Sequence, residues 1–185
     1  MRGCSVDKLD RRRLLIAEAL NDLLAKKTIE NVTVVELCGE AGISRSTFYE
    51  YFDDIHTVGE WIWEHEVRGI LEGLGEHYGY RACYERLYMR LRDLAGRVGK
   101  VRPMRDIGGS TYAQINTLAI LRRRVELGLG RHLSSEEETR LEYMSCAEEA
   151  MTVKWFVDGM RVEPERMAVY VSEAAPAFVK RAVGE

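Results

Sequence analysis

The stretch "EAGISRSTFYEYF", residues 40–52, constrains this 185-residue chain more than any other. Gly42 ends one helix, and Ser44 opens the next. Glycine reaches the left-handed backbone that a tight helix exit needs, and serine supplies the oxygen that an N-cap needs. Upstream, Thr33-Val34-Val35-Glu36 is a capping box that begins the first of the two helices. Phe48 and Phe52 recur at i, i+4 as packing anchors, which leaves Arg45, Ser46, Thr47, Tyr49 and Tyr51 to face outward. Two short helices joined so tightly form a helix-turn-helix. The second helix of such a unit lies in the major groove, its first turn at base edges and its flanking polar groups at phosphates. The competing reading, a plain helical hairpin, needs fewer hydrogen-bonding side chains.

The rest of the chain reads as helical too. Ile16, Ala19, Leu20, Leu23 and Leu24 repeat at i, i+3, i+4, i+7 and i+8, which predicts a first helix from about Lys8 to Lys26. Three prolines and little β-branched alternation predict an all-α fold of about nine helices: a three-helix head (1–56) and a larger C-terminal helical domain (57–185). The start, "MRGCSVDKLDRRR", carries charge where a signal peptide needs an apolar run, so the expected location is cytoplasmic. Cys4, Cys38, Cys83 and Cys146 lack metal-ligand spacing and fit reduced thiols. No Gly-rich phosphate loop, HExxH, G-x-S-x-G or catalytic triad is present, so the expectation is no enzyme, no cofactor and no metal. The formal net charge of −3 gives no argument for nucleic acid.

"NVTVVELCGEAGISRSTFYEYFDDIHTV" resembles the DNA-binding segment of the TetR family of bacterial transcription regulators. The resemblance implies that Gly42 makes the turn and Ser44 caps the recognition helix. It implies that Arg45, Ser46 and Thr47 face bases, while Thr33, Tyr49 and Tyr51 meet phosphates. It further implies a dimer on a palindromic double-stranded operator, a ligand-responsive repressor, and a body that senses an effector. Three departures stand out. Ile55 occupies the place of a phosphate-binding lysine, with His56 as its partial substitute, and Thr28 replaces a loop glycine. Residues 1–56 hold eight basic and ten acidic residues, a net of −2. Phosphate affinity follows local cations, so binding leans on Lys8, Arg11, Arg12, Arg13 and Arg45.

In the C-terminal part, a long fourth helix is expected from Asp54 through Gly79; its glycines make it either a compliant lever or a closely packed helix with a frayed end. His65, Glu72 and Glu76 share a face, where a metal site is conceivable and a solvated face more common. Leu87, Leu91, Leu94 and Val98 stripe a fifth helix, "PMRDIGG" suggests a short sixth, and a seventh runs from Thr111 to about Gly130. Residues 81–131 carry twelve basic and four acidic residues; they either bind an anion or nucleic acid, or pair with the acidic "SSEEET".

Ser134 with Glu137 and Ser135 with Glu138 predict overlapping capping boxes for the next helix. That helix has two apolar stripes: Leu141, Met144, Ala147, Met151, Trp155, and Cys146, Ala150, Val153, Val157, Met160. One stripe faces the core, so the other needs a partner. Pro164 starts a last helix with Met167, Val171, Ala174 and Phe178 inward, and Pro176 kinks or ends it. A homodimer through 135–160 and 164–183 follows. Candidate ligand-lining residues are Trp61, Tyr84, Tyr88, Met104, Tyr112, Tyr143, Met144, Met151 and Trp155. "KWFVDGMRVEPERMA" resembles the C-terminal region of regulators related to the dihydroxyacetone-kinase activator. That implies an alternative, a regulator acting mainly through a partner protein.

Overall fold

The computed structural model describes residues 6–24, 26–98 and 111–184, with side chains at 11–24, 26–93, 95 and 115–184. The expected sixth helix, "PMRDIGG" with Met104, lies outside the described residues, as do the side chains of Lys8, Leu94, Val98 and Tyr112.

Helix α1 (Val6–Leu24) begins and ends two residues before the expected bounds. Ile16, Leu20, Leu23 and Leu24 form its buried face, and a 3₁₀ turn (Ile29–Asn31) drops Ile29 and Val32 into the same core. Helix α2 (Val34–Ala41) contributes Leu37 and Ala41, and α3 (Arg45–Tyr49) contributes Phe48, which has no exposed surface. These apolar faces close over one another, and α4 (Ile55–Trp63) adds Val58 from the C-terminal side. Asp54 caps α4 through Thr57 N at 2.8 Å, and Thr57 Oγ1 takes the Asp54 N–H in return.

The long connecting helix differs from expectation. After α4 it widens into a π-helical turn (Glu64–Arg68), resumes as α5 (Gly69–Glu72) and stops there. Arg68 spans the widened turn, bonding Glu64 at 2.6 Å and Glu72 at 2.9 Å. Beyond it the chain folds back, and the Tyr78 hydroxyl donates to the Ile70 carbonyl at 2.5 Å. That bond back onto Ile70 outweighs the helical pattern that continued to Gly79.

Helices α6 (Tyr80–Val98), α7 (Thr111–Leu129), α8 (Ser135–Val157), α9 (Pro164–Ala174) and α10 (Ala177–Val183) complete the body. α9 packs along α6, and α10 along α7. Gly128 makes the second contact possible, because a Cβ there would overlap the Ala182 carbonyl oxygen. Pro176 ends α9 and N-caps α10. Of the two predicted capping boxes on α8 only Ser134 with Glu137 forms. Ser135 is already helical, and Glu138 binds Arg122 at 2.8 Å. Ala174 is exposed, whereas Met167, Val171 and Phe178 are buried. The described residues contain helices and turns, with a single isolated bridge between Leu74 and Tyr78, so the fold is all-α. No helix among them is long and apolar enough to cross a membrane.

Candidate nucleic-acid interface

Two interlocked caps fix the geometry of the head's polar face. Thr33 Oγ1 accepts from Glu36 N at 3.3 Å, and Glu36 accepts from Thr33 N at 3.0 Å. Glu36 also takes the Lys27 ammonium at 2.6 Å, and that bond, helped by Thr33, holds its carboxyl down at about 2. α2 then ends on Gly42 at φ 63°, where the left-handed backbone costs glycine little. Ser44 caps α3 by accepting from Thr47 N at 3.1 Å. Its oxygen also lies 2.8 Å from Ser46 Oγ and 3.0 Å from Thr47 Oγ1, so three hydroxyls cluster at the first turn of α3.

Arg45 and Ser46 stand exposed beside that cluster, with Thr47 half-buried. Arg45 carries no ion pair among the described residues. Tyr49 is 50% exposed, its ring edge-on to Phe48 at 5.3 Å. His56 is exposed on the first turn of α4. The structure thus brings Ser44, Arg45, Ser46, Thr47 and Tyr49 onto one short element. Two expected residues sit differently. Tyr51 lies past the end of α3 and is half-buried against the head core, because the chain turns there to bury Phe52. The Thr33 hydroxyl donates to Glu36 at 2.8 Å, so a phosphate would have to displace that bond. Ile55, in the place of the lysine, packs against the core. Arg11 and Arg12 are exposed on α1.

The candidate ligand-lining residues divide into three groups. Trp61 belongs near the head, edge-on to Phe52 at 6.3 Å and stacked on His65 at 4.8 Å. Tyr84, Tyr88 and Trp155 are buried; Tyr88 and Trp155 meet edge-on at 5.3 Å. Tyr143, Met144 and Met151 line a groove of about 710 Å³ between α8 and α9. Tyr143 and Met151 are exposed, whereas Leu141, Met144 and Trp155 of the same helix are buried, so the first stripe is only partly inward.

Among the described residues of the basic stretch 81–131, most arginines are paired. Arg122 binds Glu138, Arg131 binds Glu137 at 2.8 Å, Arg124 binds Glu76 at 3.1 Å, and Arg92 binds Glu163. The "SSEEET" carboxylates therefore answer two of these arginines. His65, Glu72 and Glu76 are each engaged elsewhere, and no metal-binding cluster occurs among the described residues.

The spacing argument missed one group. Glu148, beneath the groove, accepts from both the Tyr80 and Tyr84 hydroxyls, and burial pushes its carboxyl up to about 7. A signal for it existed: 141, 144, 148, 151 and 155 follow heptad spacing, and Glu148 is the one charged residue on that stripe.

No protein-family model matches the chain. A stretch of 67 residues is 28% identical to the HTH-type dhaKLM operon transcriptional activator DhaS of Lactococcus lactis subsp. lactis, covering 36% of each protein. Another of 55 residues is 38% identical to an uncharacterised HTH-type transcriptional regulator of Haemophilus influenzae, covering 30% of this chain and 27% of that one. The matches span about a third of the length of these curated relatives. Among solved structures, the dihydroxyacetone kinase operon activator DhaS superposes with a TM-score of 0.65 at 20% identity, over 88% of this chain and 92% of that one. A tetR-family transcriptional regulator from Streptomyces coelicolor gives 0.58 at 18%, over 94% and 88%. The chain has the fold of the TetR-family regulators, and part of its sequence is similar to helix-turn-helix transcription regulators of bacteria.

Proposed function

We propose that this chain is a DNA-binding transcription regulator of the cytoplasm, not an enzyme, that binds a palindromic operator as a two-fold homodimer. The supporting observation is the first turn of α3, where an unpaired Arg45 and a hydroxyl cluster stand on a helix end capped by Ser44. Arg45 can place its guanidinium fork against a guanine edge, worth about 1–3 kcal/mol of discrimination. Tyr49 lies one turn on and would set register through phosphate. Genomic fragments selected by the purified protein would supply the operator. On an operator series, Arg45→Ala should relax preference at one half-site position, whereas Tyr49→Phe should weaken all sequences by a similar factor. Identical profiles would defeat this division of labour.

Dimerisation is proposed through α8 and α9. Tyr143, Ala147, Ala150 and Val157 form an exposed stripe on α8, with Tyr170 exposed on α9. Tyr143 is 79% and Val157 66% exposed. An exposed apolar stripe of this kind, broken only by Lys154, marks an interface, and a two-fold contact would match a palindrome. Tyr143→Glu should give a monomer in sedimentation and lose operator affinity.

We infer a repressor whose effector occupies the body. A second reading, an activator working through a partner protein, is favoured by the likeness to DhaS over 88% of the chain. A small molecule that shifts operator affinity supports the first; a shift by a partner protein alone supports the second.

A further inference from the structure

We propose that the proton on Glu148 controls the two-fold pairing of the chain: the dimer forms with this carboxyl neutral and loosens when it ionises. This is a regulation of the α8–α9 contact proposed above, and it rests on that reading. The contact and the groove share their residues. Tyr143, Ala147 and Tyr170 belong to the exposed surface offered to a second copy, and they also line the groove that holds Glu148. A copy seated on them therefore closes the groove. It closes with it the side from which water reaches the half-buried carboxylate.

The carboxylate is held but not neutralised. Tyr80 donates to one oxygen and Tyr84 to the other, two neutral donors that fix its orientation. The Tyr88 hydroxyl lies 3.1 Å from Thr152, whose own proton goes to the Glu148 carbonyl at 2.7 Å. From α6 the facing titratable groups are thus Tyr80, Cys83, Tyr84 and Tyr88, all pushed upward by burial and so uncharged. α9 brings Met167 and Val171 to the groove, and its Arg166 lies over the Tyr170 ring at 4.9 Å. On α8, Arg140 pairs with Glu136 and Lys154 with Asp158, both at 2.7 Å. Glu149 is turned about 100° from Glu148 round the same helix. Among the described residues, no cation meets Glu148. Burial already raises its carboxyl to about 7, and a second copy would remove its remaining water. The ionised form loses far more by that than the neutral form does. Pairing therefore takes up protons, one site per copy, and by reciprocity low pH favours the pair.

The test is sedimentation equilibrium of the full chain, without DNA, at pH 6, 7 and 8 and fixed ionic strength. With one carboxyl per copy titrating near 7, the dimer Kd should rise at least about tenfold from pH 6 to pH 8. Glu148→Gln, which cannot ionise there, should keep at pH 8 the Kd that the unaltered chain shows at pH 6. If that variant does not fold, Tyr84→Phe decides: it removes one donor to the charged form, so the pH midpoint of Kd should move upward. An unmoved midpoint overturns the proposal. So does a Kd independent of pH, or the same pH dependence in Glu148→Gln. A Kd that falls as pH rises overturns it too, the result expected if the second copy brings a cation to Glu148. Each of these leaves the dimer itself standing. A chain monomeric at every pH, or a dimer that survives Tyr143→Glu, removes the α8–α9 interface and this proposal with it.

Discussion

The head and the body hold their polar groups by opposite means. In the head, the ordering bonds run between residues three apart: Thr33 with Glu36, Ser44 with Thr47, Asp54 with Thr57. In the body, the network around Glu148 joins residues 64 to 68 apart in sequence. Local caps cost little loop entropy and face water, so each contributes modestly and forms with its helix. The body's bonds exist only after α6 and α8 have packed, and they enclose a charge that packing makes expensive. The proposed DNA-reading surface is thereby set by short-range rules, and the groove by long-range ones.

The sharpest break in that contrast is Phe48→Ala. Phe48 is the fully buried anchor that ties α3 to the rest of the head, and its loss should cost about 3–5 kcal/mol. Hydrogen exchange should show the head opening while α6 and α8 stay protected. Comparable loss of protection in both regions would mean that they fold as one unit.

Gly128→Ala probes the body in the same way, at about 1–3 kcal/mol or somewhat more, because the methyl meets the backbone carbonyl of Ala182 rather than a movable side chain. A thermal melt should show the drop. An unchanged melting temperature would mean that α10 can lift from α7 at no cost.

Glu148 sharpens the comparison through pH. Its folded carboxyl titrates at about 7 against an ordinary value of 4.5, so the fold favours the protonated form. The associated stability is fully present below about pH 4.5 and is lost as pH rises through 7. Relative to Glu148→Gln, which does not titrate there, the unaltered chain should lose about 1–3 kcal/mol across that window, the groove's water trimming the upper end. Glu36 and Glu137, both held at about 2, act oppositely, and their stability is lost only as pH falls below 4.5. Denaturant titrations at pH 4.5, 6 and 8 separate the two.

The smallest effect belongs to Ser44→Ala, about 1 kcal/mol, because only an exposed cap is lost. Operator affinity should fall more than the melting temperature, since the cap also gathers the Ser46 and Thr47 hydroxyls.

The sequence by itself determined the all-α class, the α2–turn–α3 unit and the amphipathic faces of the head, because caps, glycine turns and i, i+4 anchors act over a few residues. It also placed Pro164 at a helix start and Pro176 at a helix end. Only the tertiary structure decided where the connecting helix stopped, since Tyr78 on Ile70 is a bond that helical periodicity does not encode. Packing likewise turned Tyr51 inward beside Phe52, and sent Glu138 to Arg122 instead of Ser135. The placing of Glu148 under two tyrosines was decided there too. A heptad position says that a side chain points inward; which groups await it, and whether any carries a charge, depends on helices more than sixty residues away.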